Sequence, residues 1–201
     1  MKPLLLVDCD NVLLEFVRPL QSWLLDRHDI DFRIESYALL SNMRHRGDGR
    51  TVSKAEFPAL LEGFFADGQP LQQALPGAVE ALQQLARDMD VIVLTNIPEQ
   101  WRHLRLQHLR GLGIDAPVVA NAGPKGPMVK ELAGDRPTVF VDDLPPQLES
   151  AADHAPAVGR LHMVGEDPLR NLVPTATAAH TRIDIWPDAE LWIRQWLTRE
   201  I

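Results

Sequence analysis

The stretch PLLLVDCDNV, residues 3–12, decides the fold that we expect for the whole chain. Its first five residues, 3–7, form an unbroken apolar run, which Asp8 and Asp10 follow. A run without polar alternation is typical of a strand buried on both faces, as in a parallel sheet. The two carboxylates would then lie just beyond the carboxyl end of that strand.

Similar apolar runs recur along the chain, and helical patterns separate them. We predict strands at 3–7, 91–94, 117–120 and 138–141, with weaker candidates at 160–164 and 182–185. Helices are predicted at 76–89, 99–112, 126–132 and 145–152. This alternation predicts an α/β fold, a doubly wound, Rossmann-like, mainly parallel sheet with helices on both faces.

One long segment, residues 11–75, interrupts the alternation because no strand is predicted within it. Two apolar clusters at helical spacing flank a polar loop at 41–50; they are Phe16, Leu20, Trp23 and Leu24, and Phe57, Leu60, Leu61, Phe64 and Phe65. We expect residues 1–10 and 76–201 to form the α/β core. Residues 11–75 would form a small helical cap inserted after the first strand.

Composition restricts the class of protein. The 201 residues suit one α/β domain with an insertion, and the net charge of −8 without a Lys/Arg cluster argues against a nucleic-acid duplex as partner. The single cysteine permits no internal disulfide, and no apolar run is long enough to span a membrane. We expect a soluble, cytoplasmic protein with a small substrate, either a monomer or a homodimer.

Polar groups at four strand ends carry the candidate chemistry. They are Asp8 and Asp10, Thr95 and Asn96, Lys125, and Asp142 and Asp143. The carboxyl ends of parallel strands meet at one rim, where ligands bind. Carboxylates so close together repel one another unless a cation lies among them, and hard oxygen ligands suit Mg²⁺. The pattern therefore predicts a magnesium site that acts on phosphate.

These residue types suit phosphoryl transfer through a covalent intermediate. Asp8 would attack phosphorus and form an aspartyl-phosphate. Asp10 would protonate the leaving oxygen and then deprotonate the attacking water. The other groups would bind phosphate (Thr95, Asn96 and Lys125) or complete the metal site (Asp142 and Asp143).

The sequence resembles the haloacid-dehalogenase-like (HAD-like) phosphatase superfamily in four motifs, from residue 3 to about residue 150. They are VDCDNV (7–12), VLTN (93–96), the lysine of GPKGP (123–127) and VFVDD (139–143). The resemblance implies the roles given above, a metal contact from the Asp10 backbone carbonyl, and a helical C1-type cap. It also favours Asp143 over Asp142 as the direct metal ligand.

One position differs from the family pattern, and the position of the family's lysine has two candidates. Many members have Gly after the second aspartate, where this chain has Asn11, which would restrict that loop. The active-site lysine is either Lys125 or Lys130. We favour Lys125 because it opens a helix, from which its side chain can turn toward the rim.

A narrower resemblance concerns the substrate. DCDNVLLEF (8–16) is similar to the opening of the 5′(3′)-deoxyribonucleotidases, in which the final aromatic residue stacks on the base, and WPDAELW (186–192) is similar to their C-terminal segment. Nucleoside monophosphates are therefore the first candidate substrates, and sugar phosphates the second. Phe16 would contact the base, or belong to the cap core.

The roles of several residues, and the activity itself, stay open at the level of the sequence. Arg44, His45 and Arg46 would bind an anionic part of the substrate, or form a solvated loop. Cys9 is more plausible as a small buried side chain than as a nucleophile. A dehalogenase would need an aspartate nucleophile but no metal, which leaves the other carboxylates without a purpose. A non-catalytic binding protein that retains the fold is the third possibility, although none of the four motifs is degraded.

Overall fold

The computed structural model describes residues 1–36 and 38–199. The strands in this part are β1 (Leu4–Val7), β2 (Ile30–Phe32), β3 (Met43–His45), β4 (Asp90–Thr95), β5 (Val118–Ala120), β6 (Thr138–Asp142), β7 (Gly159–His162) and β8 (Thr181–Arg182). The α-helices are α1 (Val17–His28), α2 (Phe57–Gly63), α3 (Ala78–Asp88), α4 (Arg102–Gly111), α5 (Gly126–Ala133), α6 (Pro145–His154), α7 (Asp167–Arg170) and α8 (Trp186–Arg199). Among the described residues, no helix has the length and apolar character needed to cross a bilayer.

Six strands form the main sheet, in the order β5-β4-β1-β6-β7-β8, and all neighbours are parallel. β1 lies inside the sheet, where Val7 pairs with Val93 of β4 and Val141 of β6. The chain adds β4 and β5 on one side of β1 before it crosses to β6 on the other. Such a reversal of strand order leaves a crevice at the carboxyl ends of the strands. The predicted parallel α/β fold is confirmed.

Alternate residues of β1 enter two different apolar cores. Leu5 and Val7 belong to the cluster that includes α3 and α8, whereas Leu4 and Leu6 belong to the cluster that includes α5 and α6. All four side chains are fully buried. Burial on both faces of the sheet explains why the opening run has no polar alternation.

The inserted segment is not purely helical, which differs from the sequence prediction. β2 and β3 form an antiparallel pair in which Phe32 lies opposite Met43. Both side chains are buried, whereas Arg44 is exposed. The alternation covers only three residues in each strand, too few to distinguish from the neighbouring helical pattern. β3 therefore lies within the stretch predicted as a polar loop.

The two chain connections of the insertion lie side by side next to the sheet. Leu14 and Ala74 form an antiparallel bridge between them. The Gly165 N–H donates to the Asn11 carbonyl (2.7 Å), and any side chain at position 165 would overlap Leu75. The loop after β7 is therefore packed tightly against both connections.

Close packing of α5 on α6 gives the first testable prediction. A β-carbon at Gly126 would overlap the Ser150 carbonyl. We expect Gly126→Ala to lower the free energy of unfolding by about 1–3 kcal/mol, measured by urea denaturation. The control Gly111→Ala, with open space around position 111, should leave stability unchanged or raise it by at most about 1 kcal/mol. Equal stability of the two variants would contradict this account of the packing.

Candidate active site

A cavity of about 330 Å³ opens at the carboxyl ends of β1, β4 and β6. Its polar lining consists of Asp8, Asp10, Asn11, Thr95, Asn96, Lys125 and Asp143. Asp142 is fully buried at the end of β6, beside this lining. All seven candidate residues of the strand-end cluster therefore lie together, with Asn11 beside them, although 135 positions separate Asp8 from Asp143 in the sequence.

Lys125 connects two of the carboxylates. Its side chain is 2% exposed, and its Nζ lies 2.6 Å from Asp8 Oδ1 and 2.7 Å from Asp142 Oδ2. The backbone N–H of Lys125 donates to Gln147 Oε1 (2.8 Å), which fixes the start of α5. Lys130 instead borders a surface depression beside Thr138, at the opposite end of β6. Of the two lysines, only Lys125 contacts Asp8.

The two carboxylates after β6 have different surroundings. Both oxygens of Asp142 are occupied, because Oδ2 accepts from Lys125 and Oδ1 accepts from the Leu144 N–H (2.9 Å). Asp143 accepts one hydrogen bond from Asn11 Nδ2 (3.2 Å) and lines the cavity. The carboxylate of Asp143 is therefore better placed to bind a ligand than that of Asp142.

The pKa values reflect the crowding of negative charge. Burial raises the pKa of Asp8 to about 7; the ammonium of Lys125 lowers it, and the charge of Asp142 raises it further. The pKa of Asp143 is raised well above its usual range by burial, and then by Asp142 and Asp8. Burial lowers the pKa of Lys125, but the charges of Asp142 and Asp8 outweigh that effect and raise it.

This charge balance fits a divalent cation. Oxygen atoms of Asp8, Asp142 and Asp143 lie within 4.8 Å of one another, and all three residues are buried. With all three ionised, the single ammonium of Lys125 leaves two negative charges unbalanced among these groups. An all-oxygen ligand set with two excess charges matches the preference of Mg²⁺.

Asp10 is held by two residues that sequence reasoning missed. Arg105 on α4 is fully buried, and its Nη1 lies 3.1 Å from Asp10 Oδ1. Gln72, on the outgoing connection of the insertion, donates from Nε2 to the same oxygen (2.7 Å). A signal for Arg105 existed, because it occupies a helical stripe whose other members are Trp101 and Leu109. A buried arginine on an apolar stripe requires a buried acidic partner.

Asn11 adopts a backbone conformation that normally favours glycine. Its φ is 60°, in the left-handed region, where asparagine is among the few non-glycine residues found regularly. Its side chain donates to Asp143, and its carbonyl accepts from Gly165. Asparagine thus supplies the turn and an additional hydrogen bond that glycine would lack.

Cys9 has the surroundings of a buried structural thiol. Burial raises its pKa to about 12, and the negative charges of Asp10 and Asp8 contribute in the same direction. Arg105 donates from Nη1 to the sulfur (3.2 Å), and Cys9 is absent from the cavity lining. A thiol that stays protonated and does not line the cavity is unsuited to be the nucleophile.

The predicted cap residues separate into two groups. Phe16 lines the cavity. Arg44, His45 and Arg46 line a different groove on the β2–β3 hairpin, where Arg44 donates to Thr51 (3.0 Å). The structure therefore does not bring this basic loop to the strand-end cluster, because β2 and β3 carry it to another face of the insertion.

Comparison with known proteins identifies the fold. No protein-family model and no curated protein matches the sequence. A HAD family hydrolase from Deinococcus radiodurans, whose structure has bound phosphate and sodium, is 18% identical, with 96% of this chain and 95% of that chain covered and a TM-score of 0.63. The HAD-hydrolase YfnB from Bacillus subtilis, bound to magnesium, is 13% identical, with 94% and 97% covered and a TM-score of 0.66.

A third similar structure is a defluorinating L-2-haloacid dehalogenase, which is 13% identical, with 95% of this chain and 94% of that chain covered and a TM-score of 0.61. Likenesses at these low identities concern the fold, and they extend over nearly the full length of each chain. Taken with the parallel sheet and the acidic cluster at its carboxyl edge, they show that this chain has the haloacid-dehalogenase-like fold.

Proposed function

We propose that the chain is a Mg²⁺-dependent phosphatase that hydrolyses small-molecule phosphate monoesters through an aspartyl-phosphate on Asp8. The observation that carries the proposal is the Lys125 ammonium between Asp8 and Asp142, within a buried set of three carboxylates. This arrangement needs a cation, and it offers a nucleophile with its charge partly balanced.

The metal would be held by the carboxylates of Asp8 and Asp143 and by the Asp10 backbone carbonyl. Asp142 would act indirectly, because Lys125 and Leu144 already occupy its oxygens. When bound, Mg²⁺ supplies positive charge to the phosphate and to its acidic ligands. The Bacillus subtilis relative contains magnesium, which is consistent with this assignment.

Asp8 would attack the phosphorus, while Lys125 keeps one of its oxygens fixed and orients the other toward the cavity. The Thr95 hydroxyl and the Asn96 N–H would hold phosphate oxygens, because both residues line the same cavity. In phosphoryl transfer generally, positioning of the phosphate and neutralisation of its charge provide most of the rate enhancement, and these residues would do both.

Asp10 would give a proton to the leaving oxygen and then accept one from the water that breaks the intermediate. Arg105 and Gln72 would act as positioning residues, because they hold the Asp10 carboxylate from α4 and from the insertion. A dehalogenase requires neither this proton transfer nor a metal. The paired Asp10 and the excess charge beside Asp143 therefore favour the phosphatase over a dehalogenase.

Phosphorylation of Asp8 is directly testable with p-nitrophenyl phosphate. We expect Asp8→Asn to lower kcat by at least about 1,000-fold, and EDTA to abolish turnover of the native chain. Asp10→Asn should accumulate protein carrying one phosphoryl group, detected by intact mass, because the second step lacks its base. Exposed Asp153 provides the control, since Asp153→Asn should retain full activity. A phosphoryl group on any residue other than Asp8 would overturn the mechanism.

Metal binding should depend on pH. Burial raises the pKa of Asp8 from 3.8 to about 7, so the folded chain holds this proton more tightly than the unfolded chain. Without metal, the stability from Asp8 is therefore fully present below pH 3.8 and is lost as pH rises through about 7. Mg²⁺ competes with that proton, so it should raise Tm more at about pH 8 than at about pH 5.5.

The control for this measurement is Asp143→Asn, which should remove most of the Mg²⁺-dependent shift in Tm while the protein stays folded. A shift in Tm that is equal at the two pH values, or that survives in Asp143→Asn, would contradict the assigned metal site.

Arg105→Lys tests the support of Asp10. Lysine cannot contact both Asp10 and Cys9 as the guanidinium does, so kcat should fall by about tenfold or more, with KM changed less than about threefold. The loss should be larger for an alkyl phosphate than for p-nitrophenyl phosphate, whose leaving group hardly needs a proton. The matched control is Arg110→Lys, since Arg110 is exposed on the same helix and pairs with exposed Asp115. Equal losses on both esters would indicate a purely structural role.

A further inference from the structure

The cavity beside Asp8 is chemically divided. All the charged and polar side chains that line it belong to the strand-end cluster and its adjoining loops. The remaining described lining is entirely apolar and consists of Phe16, Leu39, Leu61, Phe65, Leu144 and Leu169. One side of the cavity is therefore suited to phosphate and metal, and the other to whatever the phosphate is attached to.

The apolar side is assembled from separate parts of the chain. Leu61 and Phe65 come from the helical end of the insertion, whereas Leu144 comes from the loop after β6 and Leu169 from α7. Leu39, Leu61 and Leu144 are half-buried, so part of each side chain remains free to contact a ligand. Convergence of apolar side chains from five segments, with Phe16 and Leu39 included, forms a concave apolar surface rather than a single helix face.

Phe16 is held rigidly in this surface. Buried Glu166, in the loop after β7, accepts hydrogen bonds from the Phe16 N–H (2.8 Å) and the Val17 N–H (2.8 Å). The Phe16 ring also packs edge-on against Phe64, with ring centroids 5.6 Å apart. The carboxylate of Glu166 thus fixes the backbone of Phe16, whose side chain lines the cavity. Glu166 itself does not line the cavity.

No charged side chain within the described residues is available on the apolar side for a second anionic group. The basic residues that the sequence suggested for this purpose, Arg44 and Arg46, line the hairpin groove instead. Buried Arg105 is paired with Asp10. The hydroxyl groups of a bound sugar would face Leu and Phe side chains. They would lose their hydrogen bonds to water without gaining new ones, which weakens binding strongly.

We infer that the leaving group of the substrate is an uncharged apolar group, such as an aromatic or alicyclic alcohol, rather than a sugar or a second anion. This inference rests on the proposed phosphatase function and specifies its substrate class. It differs from the nucleotide and sugar substrates considered from the sequence, because those require hydrogen-bond partners that the apolar side of the described lining lacks.

The test compares phosphate esters of primary alcohols, whose intrinsic reactivity is similar. Benzyl phosphate carries an apolar group, whereas glucose 6-phosphate and thymidine 5′-monophosphate carry polar ones. We expect kcat/KM for benzyl phosphate to exceed that for glucose 6-phosphate by about 100-fold or more. Benzylphosphonate, which cannot be hydrolysed, should also bind at least about tenfold more tightly than methylphosphonate in calorimetry.

Leu61→Asn provides the matched variant. It introduces an amide on the apolar side at a half-buried position, so folding should tolerate it. The preference for benzyl phosphate over glucose 6-phosphate should fall by about tenfold or more, mainly through KM for benzyl phosphate. The control is Leu25→Asn, since Leu25 is 44% exposed on α1 and does not line the cavity. Its preference should match that of the native chain.

The outcomes separate the two proposals. Turnover of acetyl phosphate together with equal or better turnover of glucose 6-phosphate or thymidine 5′-monophosphate would overturn the substrate inference alone. An unchanged preference in Leu61→Asn would do the same. Failure to hydrolyse acetyl phosphate and every phosphate ester would overturn the proposed phosphatase function and this inference with it.

Discussion

The ion pair that Lys125 makes with Asp8 and Asp142 is the constraint on which the candidate site depends. Three carboxylates at the carboxyl edge of a buried sheet would repel one another, and this ammonium balances only part of their charge. Its position depends in turn on the fold, because α5 must start beside α6. Gly126 permits that approach, and Gln147 accepts the Lys125 N–H. The position of the Lys125 side chain therefore depends on the order of the strands, on the packing of α5 against α6 and on the charges of Asp8 and Asp142.

The segment after β7, which consists of a short loop and α7, has a comparable role on the other side of the cavity. Gly165 donates to the Asn11 carbonyl, Glu166 binds the first turn of α1, and Leu169 lines the cavity. The same few residues thus hold the turn at Asn11, close to Asp8 and Asp10, and the first helix of the insertion. Because Asn11 donates to Asp143 and Gln72 on the outgoing connection donates to Asp10, both ends of the insertion are hydrogen-bonded to carboxylates of the candidate site.

In the proposed phosphatase, the reacting groups and the surface that selects the substrate would come from different parts of the molecule. The groups proposed for phosphoryl transfer come from strand ends of the sheet, which are held by hydrogen bonds on either side. The apolar surface that would select the leaving group comes largely from the insertion and from loops. In this arrangement the reaction type can stay constant while a few side chains such as Leu61 and Phe65 change the substrate.

The sequence by itself determined the parallel sheet and the carboxylates that converge at its edge, because unbroken apolar runs followed by carboxylates are local patterns with one dominant structural outcome. Only the tertiary structure decided what surrounds them. Lys125 rather than Lys130 meets Asp8, Arg105 pairs with Asp10 from 95 residues away, and the β2–β3 hairpin carries Arg44 away from the cavity. Packing between distant segments determines which of these residues meet, and the local periodicity of the sequence does not identify those partners.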